Sequence, residues 1–223
     1  MNTFLKHLFI PLVICITTSV MAQTDGKAKT GNTKSKDAQA KEAKAKETKP
    51  EDAKAIEAQN KDLSMAYMSP GLPHKNLTKG VGTWTAEVTM WMPSGAPPQT
   101  NKGTCVNTMI LGGRYQQSVF RMDYNEVAFE GIATTGYDNA LNKYFSTWID
   151  NMGTGIMYLE GTLNAKGSEL NMSGKMVDPL SGKLIPVRQV ITFTDDNNET
   201  MEMFVSEKGK EFRSMRIKYS RGH

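Results

Sequence analysis

Potential metal ligands are few and widely spaced in this sequence. It contains three histidines and two cysteines: His7, His74, His223, Cys15 and Cys105. Zinc sites need several such ligands at short, regular spacing, and these residues lack that spacing. Methionine thioethers, such as those of Met201 and Met203, could bind Cu(I). The methionines are spread over most of the predicted strands, however, and this distribution favours a packing role. We therefore predict no metal site and no cofactor.

Catalysis by a side-chain nucleophile has little support in the sequence. The chain has no GxSxG motif, and no histidine is placed to act as the base for a serine. Asp150 and Glu160 could meet across neighbouring strands, and an inward carboxylate pair could act as an acid or a base. The favoured interpretation is that both face solvent or cap turns, because Asp150 ends a predicted strand. We predict no catalytic residue.

Five side chains are candidates to line or rim a ligand site: Trp84, Tyr137, Trp148, Arg188 and Tyr219. Arg188 lies mid-strand between Val187 and Val190, and a buried arginine would bind an anion or a carboxylate. The alternative, which the sequence favours for this one residue, is an arginine that faces solvent. For the two tryptophans, core packing is favoured over stacking on a ligand.

These side chains would be positioned by β-strands. From Thr83 onwards the sequence consists of ten strand-like runs separated by turn-forming residues. Short connections favour antiparallel neighbours, and a long meander usually closes into a barrel to remove its edges. We predict an all-β fold: a single antiparallel up-and-down β-barrel of about ten strands, lipocalin-like, preceded by a short helix around His74 to Lys79.

Alternation within the runs indicates an interior. Three runs place apolar residues on one face: Trp84, Ala86, Val88 and Met90 in the first, Met201, Met203 and Val205 in the ninth, and Met215, Ile217 and Tyr219 in the last. The fifth run, KYFSTWI, has aromatic residues on both faces, and the bulk of Trp148 leads us to predict that it points inward. Gly112 and Gly113 predict a tight hairpin turn rather than a phosphate loop, because no helix follows them.

The first residues predict a cleaved signal peptide. Lys6 and His7 precede the apolar run from Leu8 to Val20, which at about 13 residues is too short to span a bilayer comfortably. Val20, Met21 and Ala22 place small or medium residues where signal peptidase cleaves. We therefore expect cleavage before Gln23 and a protein in the periplasm or outside the cell. Ile14 stands before Cys15, where a lipoprotein needs a small residue, and we therefore predict no lipidation.

Three segments follow from composition: a signal peptide at 1–22, a tether at 23–62 and a barrel domain at 63–223. The tether is rich in Lys, Ala and Glu and has Ile56 as its only apolar residue larger than Ala. Such a segment is disordered or transiently helical, and a solvated spacer is favoured over a partner-binding helix. The barrel domain has 16 basic and 15 acidic residues, so we expect no nucleic-acid partner. The sequence leaves the oligomeric state open.

Several motifs of the barrel domain resemble a bacterial family called domain of unknown function 1579. They are GTW at 82–84, LGGRY at 111–115, FEGIATTGYDNALNKYFSTWIDNMGTG at 129–155, DPLSG at 178–182 and the final YSR. The resemblance covers residues 73–221 and implies a ten-stranded barrel akin to nitrobindin and other calycin-like folds, with no established activity. Nitrobindin-like proteins hold haem through a histidine in the later strands. This sequence has Arg213, Met215 and Tyr219 there, so haem binding is not carried over.

The leading functional hypothesis is an exported barrel that binds a small, largely apolar ligand in its lumen, the usual site in such folds. An enzyme that uses a lumen carboxylate or tyrosine is the first alternative. A structural envelope protein with a filled barrel is the second. A lumen plugged by Met and aromatic side chains would favour the structural role, whereas two titratable groups converging on a cavity would favour catalysis.

Overall fold

A computed structural model describes residues 50–222 except 93, 125, 180 and 208. The predicted signal peptide and most of the predicted tether lie outside the described residues. Two helices precede the strands: α1, Pro50–Met68, and α2, Leu72–Thr78. Proline is well tolerated in the first turn of a helix, as at Pro50, whereas Pro70 cannot continue one. The first helix therefore passes residue 62, the predicted end of the tether, and ends at Met68.

Ten antiparallel strands follow the helices. They are β1 Gly82–Met90, β2 Gln99–Ile110, β3 Tyr115–Tyr124, β4 Val127–Asp138, β5 Lys143–Asp150, β6 Met157–Leu163, β7 Glu169–Asp178, β8 Lys183–Asp195, β9 Asn198–Glu207 and β10 Lys210–Arg221. Each strand pairs with the next along the chain, and β1 pairs with β10, which closes the barrel. Closure leaves no unpaired sheet edge. The predicted up-and-down barrel with a short N-terminal helix is confirmed.

The β2–β3 hairpin shows why two glycines stand at its turn. Leu111, Gly112 and Gly113 have φ values of 50°, 66° and 80°. Positive φ is readily adopted by glycine and is costly for residues that carry a Cβ. The predicted hairpin turn at Gly112 and Gly113 is confirmed.

The inner face of the barrel follows the alternation of the sequence. On β1, Trp84, Ala86, Val88 and Met90 are buried, with exposed fractions between 1% and 7%. Residues directly opposed in an antiparallel pair share a face, so the register carries this inward face around the whole barrel. The inward faces predicted for the first, ninth and last runs are confirmed by burial or by packing against the core.

The residues from Ala66 onward form one compact unit, which contains α2 and all ten strands. Within the part of the chain that the structure describes, neither helix is both long and apolar enough to cross a bilayer.

Candidate functional site

One end of the barrel is covered by α2 and the residues that follow it. The buried His74 of α2 accepts a hydrogen bond from the Gly71 amide at Nδ1 (3.0 Å), so its Nε2 carries the proton that is donated to the Tyr137 carbonyl (3.1 Å). Trp84 Nε1 and Asn107 Nδ2 both donate to the Gly80 carbonyl, at 2.9 and 3.0 Å. These bonds hold the segment around α2 against β1, β2 and β4. Both nitrogens of His74 have a structural partner.

The inner faces of β5–β10 combine buried and partly buried side chains. The partly buried ones that pack against the core are Trp148, Met157, Leu163, Met176, Ile185, Ile191, Phe212, Met215 and Tyr219. Buried neighbours on the same strands include Leu159, Met172 and Met203. This part of the inner face therefore keeps some apolar surface accessible.

Gln189 is a polar residue on the inner face of β8. It is opposed by Met172 on β7 and by Met203 on β9, and both methionines are buried. Within the described chain, the Gln189 amide has no hydrogen-bond partner. Its atoms are not fully buried, so the amide is free to contact water or a bound molecule.

A row of paired residues crosses the inner face near the α2 end. In order across β8, β9, β10, β1 and β2, the Glu199 row consists of Phe193, Glu199, Tyr219, Ala86 and Gly103. Phe193 lies at the rim with 38% of its surface exposed, whereas Ala86 is buried. Gly103 leaves no open space in the row, because the Phe120 ring and Met122 lie where its Cβ would stand.

Glu199 is the charged member of this row. It lies two residues before Met201 on the same face of β9, and burial raises the pKa of its carboxyl to about 7. Arg221 acts in the opposite direction on that pKa, but it forms no ion pair with Glu199. Its guanidinium donates to the carbonyls of Lys79, Val81 and Asp196, at 2.7, 2.6 and 3.1 Å.

Tyr219 and Cys105 are the other titratable groups near Glu199. Burial raises the pKa of the Tyr219 phenol well above its usual range, and Cys105 and Glu199 add to the effect. Burial, with a contribution from Glu199, raises the pKa of the Cys105 thiol to about 12. The thiol donates to Asn107 Oδ1 at 3.2 Å. Both groups are therefore protonated near neutral pH, and Cys105 is not poised as a nucleophile.

A concave feature lies at the α2 end of the chain's compact unit. It is a recess of about 560 Å³, lined mainly by aromatic and charged side chains that include Tyr67, His74, Arg114, Tyr137, Tyr144 and Glu160. Tyr137 and Tyr144 meet edge to face there, with ring centroids 4.9 Å apart. In the described residues, no group of three or more His, Cys, Asp or Glu side chains could hold a metal ion.

Comparison with known proteins gives the family of this fold. The profile of a protein family of unknown function, DUF1579, matches residues 69–221. The chain belongs to this family. No curated protein matches it. Among solved structures it is similar to Rv2717c from M. tuberculosis, with 11% identity and a TM-score of 0.51 over 70% of this chain and 100% of that one. A redesigned beta barrel is also similar, with 11% identity and a TM-score of 0.37 over 66% and 96% of the two chains.

Membership of the DUF1579 family agrees with the resemblance seen in the sequence motifs. The function of that family is unknown, so membership assigns no activity to this chain. The similarity to Rv2717c supports the barrel fold alone. Evidence on function therefore comes from the side chains inside the barrel.

Four of the five predicted site residues belong to the inner face. Trp84 is fully within the core, and Tyr137 packs at the rim beside His74. Trp148 points inward, as predicted, stacks on Phe129 with centroids 6.3 Å apart, and donates to Asp150 Oδ2 at 2.8 Å. Tyr219 lies in the Glu199 row. Trp148, Tyr219 and Tyr137 are partly buried, whereas Trp84 is fully buried.

Arg188 does not point into the lumen. It lies on the outer face of β8 and forms a two-pronged ion pair with Glu211, with N–O distances of 2.9 and 2.6 Å. Its guanidinium also lies 4.0 Å from the ring centroid of Phe204. The prediction that Arg188 lines a lumen site is wrong, because the pleat turns Val187 and Gln189 inward and Arg188 outward.

The two carboxylates considered for acid–base chemistry are held apart. Asp150 Oδ1 accepts hydrogen bonds from the amides of Met152 and Gly153, as expected for a turn-capping residue. Glu160 forms an ion pair with Lys143 at 2.7 Å on the outer face. The favoured interpretation, that these two carboxylates face solvent or cap turns, is confirmed.

Three residues of the interior were missed by the sequence analysis: Phe193, Gln189 and Glu199. The signal for Gln189 was its two-residue spacing from Val187 and Ile191, and the signal for Glu199 was the same spacing from Met201. Because side chains two residues apart on a strand share a face, the inward face could have been followed along both strands to these residues. Polar residues at those positions interrupt an apolar face, and interruptions of this kind are candidates for function.

Proposed function

We propose that the barrel binds a small, largely apolar ligand in the half of its lumen formed by β5–β10. One observation carries this proposal. Apolar inward side chains of β5–β10, including Ile191 and Met215, remain partly exposed, and two polar inward residues of the same strands, Gln189 and Glu199, have no hydrogen-bond partner among the described residues.

Apolar surface inside a barrel favours a ligand because its removal from water contributes about 25 cal/mol per Å². The polar groups would fix the orientation of the ligand, since binding sites usually combine apolar walls with a few placed polar groups. The many methionines of the interior suit this role, because an unbranched thioether side chain adapts to the shape of a guest.

Native mass spectrometry of protein purified from its own host tests the proposal. We expect a bound small molecule, and we expect Gln189→Phe, which fills the middle of the lumen, to lose it. Gln117→Phe is the matched control, because Gln117 lies on the outer face of β3. Retention of the molecule by Gln189→Phe would place the site elsewhere. If the purified protein carries no bound molecule, a structural role is favoured.

Acid–base catalysis in the same lumen is a second candidate. It is favoured by Glu199, whose carboxyl has its pKa raised to about 7 beside the Tyr219 phenol. If Glu199 is a catalytic acid or base, Glu199→Gln should accumulate a bound molecule that differs in mass from the one held by the wild type. The same molecule in both proteins would indicate binding without turnover.

We also propose that the protein is exported, to the periplasm or beyond, after removal of residues 1–22. Support comes from the basic start and the short apolar run of the sequence alone. N-terminal sequencing of the mature protein should begin at Gln23. Retention of the segment from Leu8 to Val20 in the mature chain would contradict export by this route.

A further inference from the structure

Glu199 is a carboxylate without a protein donor on the inner face of the barrel. Asp150, also inward, is a useful comparison, because Trp148 and two turn amides donate to it. No described side chain or amide donates to the Glu199 carboxylate. Its oxygens are not fully buried and remain accessible, and a carboxylate that lacks protein donors is suited to a ligand that supplies one.

We propose that Glu199, with Phe193 and Tyr219 on either side, binds a protonated amine that is the head group of an otherwise apolar ligand. This inference rests on the lumen-binding function proposed above and names the class of its ligand. The amine would donate to the carboxylate while its substituents lie along the apolar inner face towards Met201 and Ile191.

The neighbours of Glu199 favour a cation as its partner. Phe193 and Tyr219 are its two opposed residues, so an aromatic residue is its neighbour on each adjacent strand. Ring faces attract ammonium groups, and the attraction is stronger where water is excluded. Phe193 keeps 38% of its surface exposed, which leaves ring surface available to a ligand at the rim.

The nearby guanidinium does not take the place of the ligand. Arg221 lies over the Trp84 ring, 4.3 Å from its centroid, and donates to the carbonyls of Lys79, Val81 and Asp196. These contacts tie the last strand to the start of the first. They leave the carboxylate of Glu199 without a cation in contact.

The charge state of the site follows from the groups around Glu199. These are Tyr219 and Arg221 of β10, Cys105 of β2, and, on β8, Asp195, which is exposed and bonded to Asn197 and Asn198. Burial raises the pKa of Glu199 to about 7. Below that pH the carboxyl is neutral and cannot pair with an ammonium group, so affinity for an amine should rise as pH increases through 7.

Three probes of equal chain length separate the head groups: octylamine, octanol and octanoate. Calorimetric titration of the full-length mature protein should show octylamine binding more tightly than the other two. Its affinity should increase from pH 5.5 to pH 8.5, whereas that of octanol should not. Glu199→Gln should weaken octylamine by about tenfold or more, the effect of losing a charge-assisted hydrogen bond, and should remove its pH dependence.

Glu202→Gln is the matched control, since Glu202 lies on the outer face of the same strand in an ion pair with Arg213. It should leave octylamine binding unchanged. Phe193→Leu is an independent test, because it keeps the carboxylate and apolar bulk but removes the ring. It should reduce the preference for octylamine over octanol by several-fold.

The outcomes distinguish this inference from the function on which it rests. If none of the three probes binds, the lumen-binding function itself fails. If octanol or octanoate binds as tightly as octylamine, or if Glu199→Gln leaves their relative affinities unchanged, the lumen binds ligands but the amine assignment is overturned. Thermal unfolding of each variant shows that a lost affinity is not a lost fold.

Discussion

Trp148 shows how one side chain shapes both the core and the proposed site. It stacks on Phe129 of the neighbouring strand, and its Nε1 donates to Asp150. The opposed strand carries Gly131 beneath the ring, where a Cβ would overlap the indole. A glycine inside a strand often marks such a close approach. Two substitutions test this arrangement.

The first is Trp148→Ala. We expect it to lower the free energy of unfolding by about 3 kcal/mol, towards the lower end for a large aromatic because Trp148 is not fully buried. Trp148→Phe should retain most of the stability. Tyr158→Ala is the control, since Tyr158 is 47% exposed on the outer face. Urea denaturation measures all three. A loss within about 0.5 kcal/mol for Trp148→Ala, typical of a surface change, would contradict the inward placement.

The second is Gly131→Ala, which should destabilise the barrel because the added methyl group displaces the Trp148 ring. The loss should shrink when the same change is made in a Trp148→Ala background, where space is available. A double-mutant cycle in urea reports this coupling directly. Equal losses in both backgrounds would mean that the strain at Gly131 has another source.

Arg188 and Gln189 show where the sequence stops being sufficient at this scale. Val187, Gln189 and Ile191 share one face of β8, and Arg188 and Val190 share the opposite face. Both faces contain apolar residues, so the apolar residues alone do not decide which face points inward. A shift of one residue exchanges every side chain between the faces. The pairing with β9 decides it, because Gln189 opposes the inward Met203.

At the scale of elements, the strands were predictable and the first helix was not. Alternation and turn residues gave all ten strands, because both depend on neighbours close in the sequence. Residues 54–68 of α1 are exposed throughout, so no apolar stripe marked its extent. Its end is fixed instead by distant loops: Arg114 donates to the Met68 carbonyl at 2.6 Å and Asn139 to that of Ala66 at 2.8 Å.

Two truncations test this division of α1. Removal of residues 23–62 should change the free energy of barrel unfolding by no more than about 0.5 kcal/mol, because the described part of that segment buries no apolar side chain. Removal of residues 23–69 should cost more, since Arg114 and Asn139 then lose their carbonyl partners. Urea denaturation of both proteins is the measurement. A loss of several kcal/mol for the shorter truncation would show that the tether stabilises the barrel.

At the scale of the whole molecule, strand pairing assembles the Glu199 row. Phe193 and Tyr219 become neighbours of Glu199 through the β8–β9 and β9–β10 hairpins, and the pairing of β1 with β10 adds Ala86 and Gly103, which are far away in the sequence. The sequence predicted closure, because a long meander would otherwise expose edges. It could not predict which residues would share a row, since register depends on the packing of all strands together.

Closure around Glu199 also makes stability depend on pH. Its pKa is about 7 in the folded protein and near the ordinary value of 4.5 when unfolded, so protonation favours the folded state. This contribution is fully present below pH 4.5 and is lost as pH rises through 7. It amounts to about 3–4 kcal/mol, since each unit of pKa difference corresponds to about 1.4 kcal/mol.

Glu199→Gln removes this dependence and isolates it from other titrating groups. Urea denaturation at pH 5 and pH 8 should show the wild type losing stability relative to Glu199→Gln as pH increases. At pH 8 the variant should be the more stable protein, because it no longer buries a charge. Glu202→Gln, on the outer face of β9, should follow the wild type at both pH values. Parallel pH profiles for the wild type and Glu199→Gln would mean that the Glu199 carboxyl is hydrated, which would also weaken its assignment as the polar end of the lumen site.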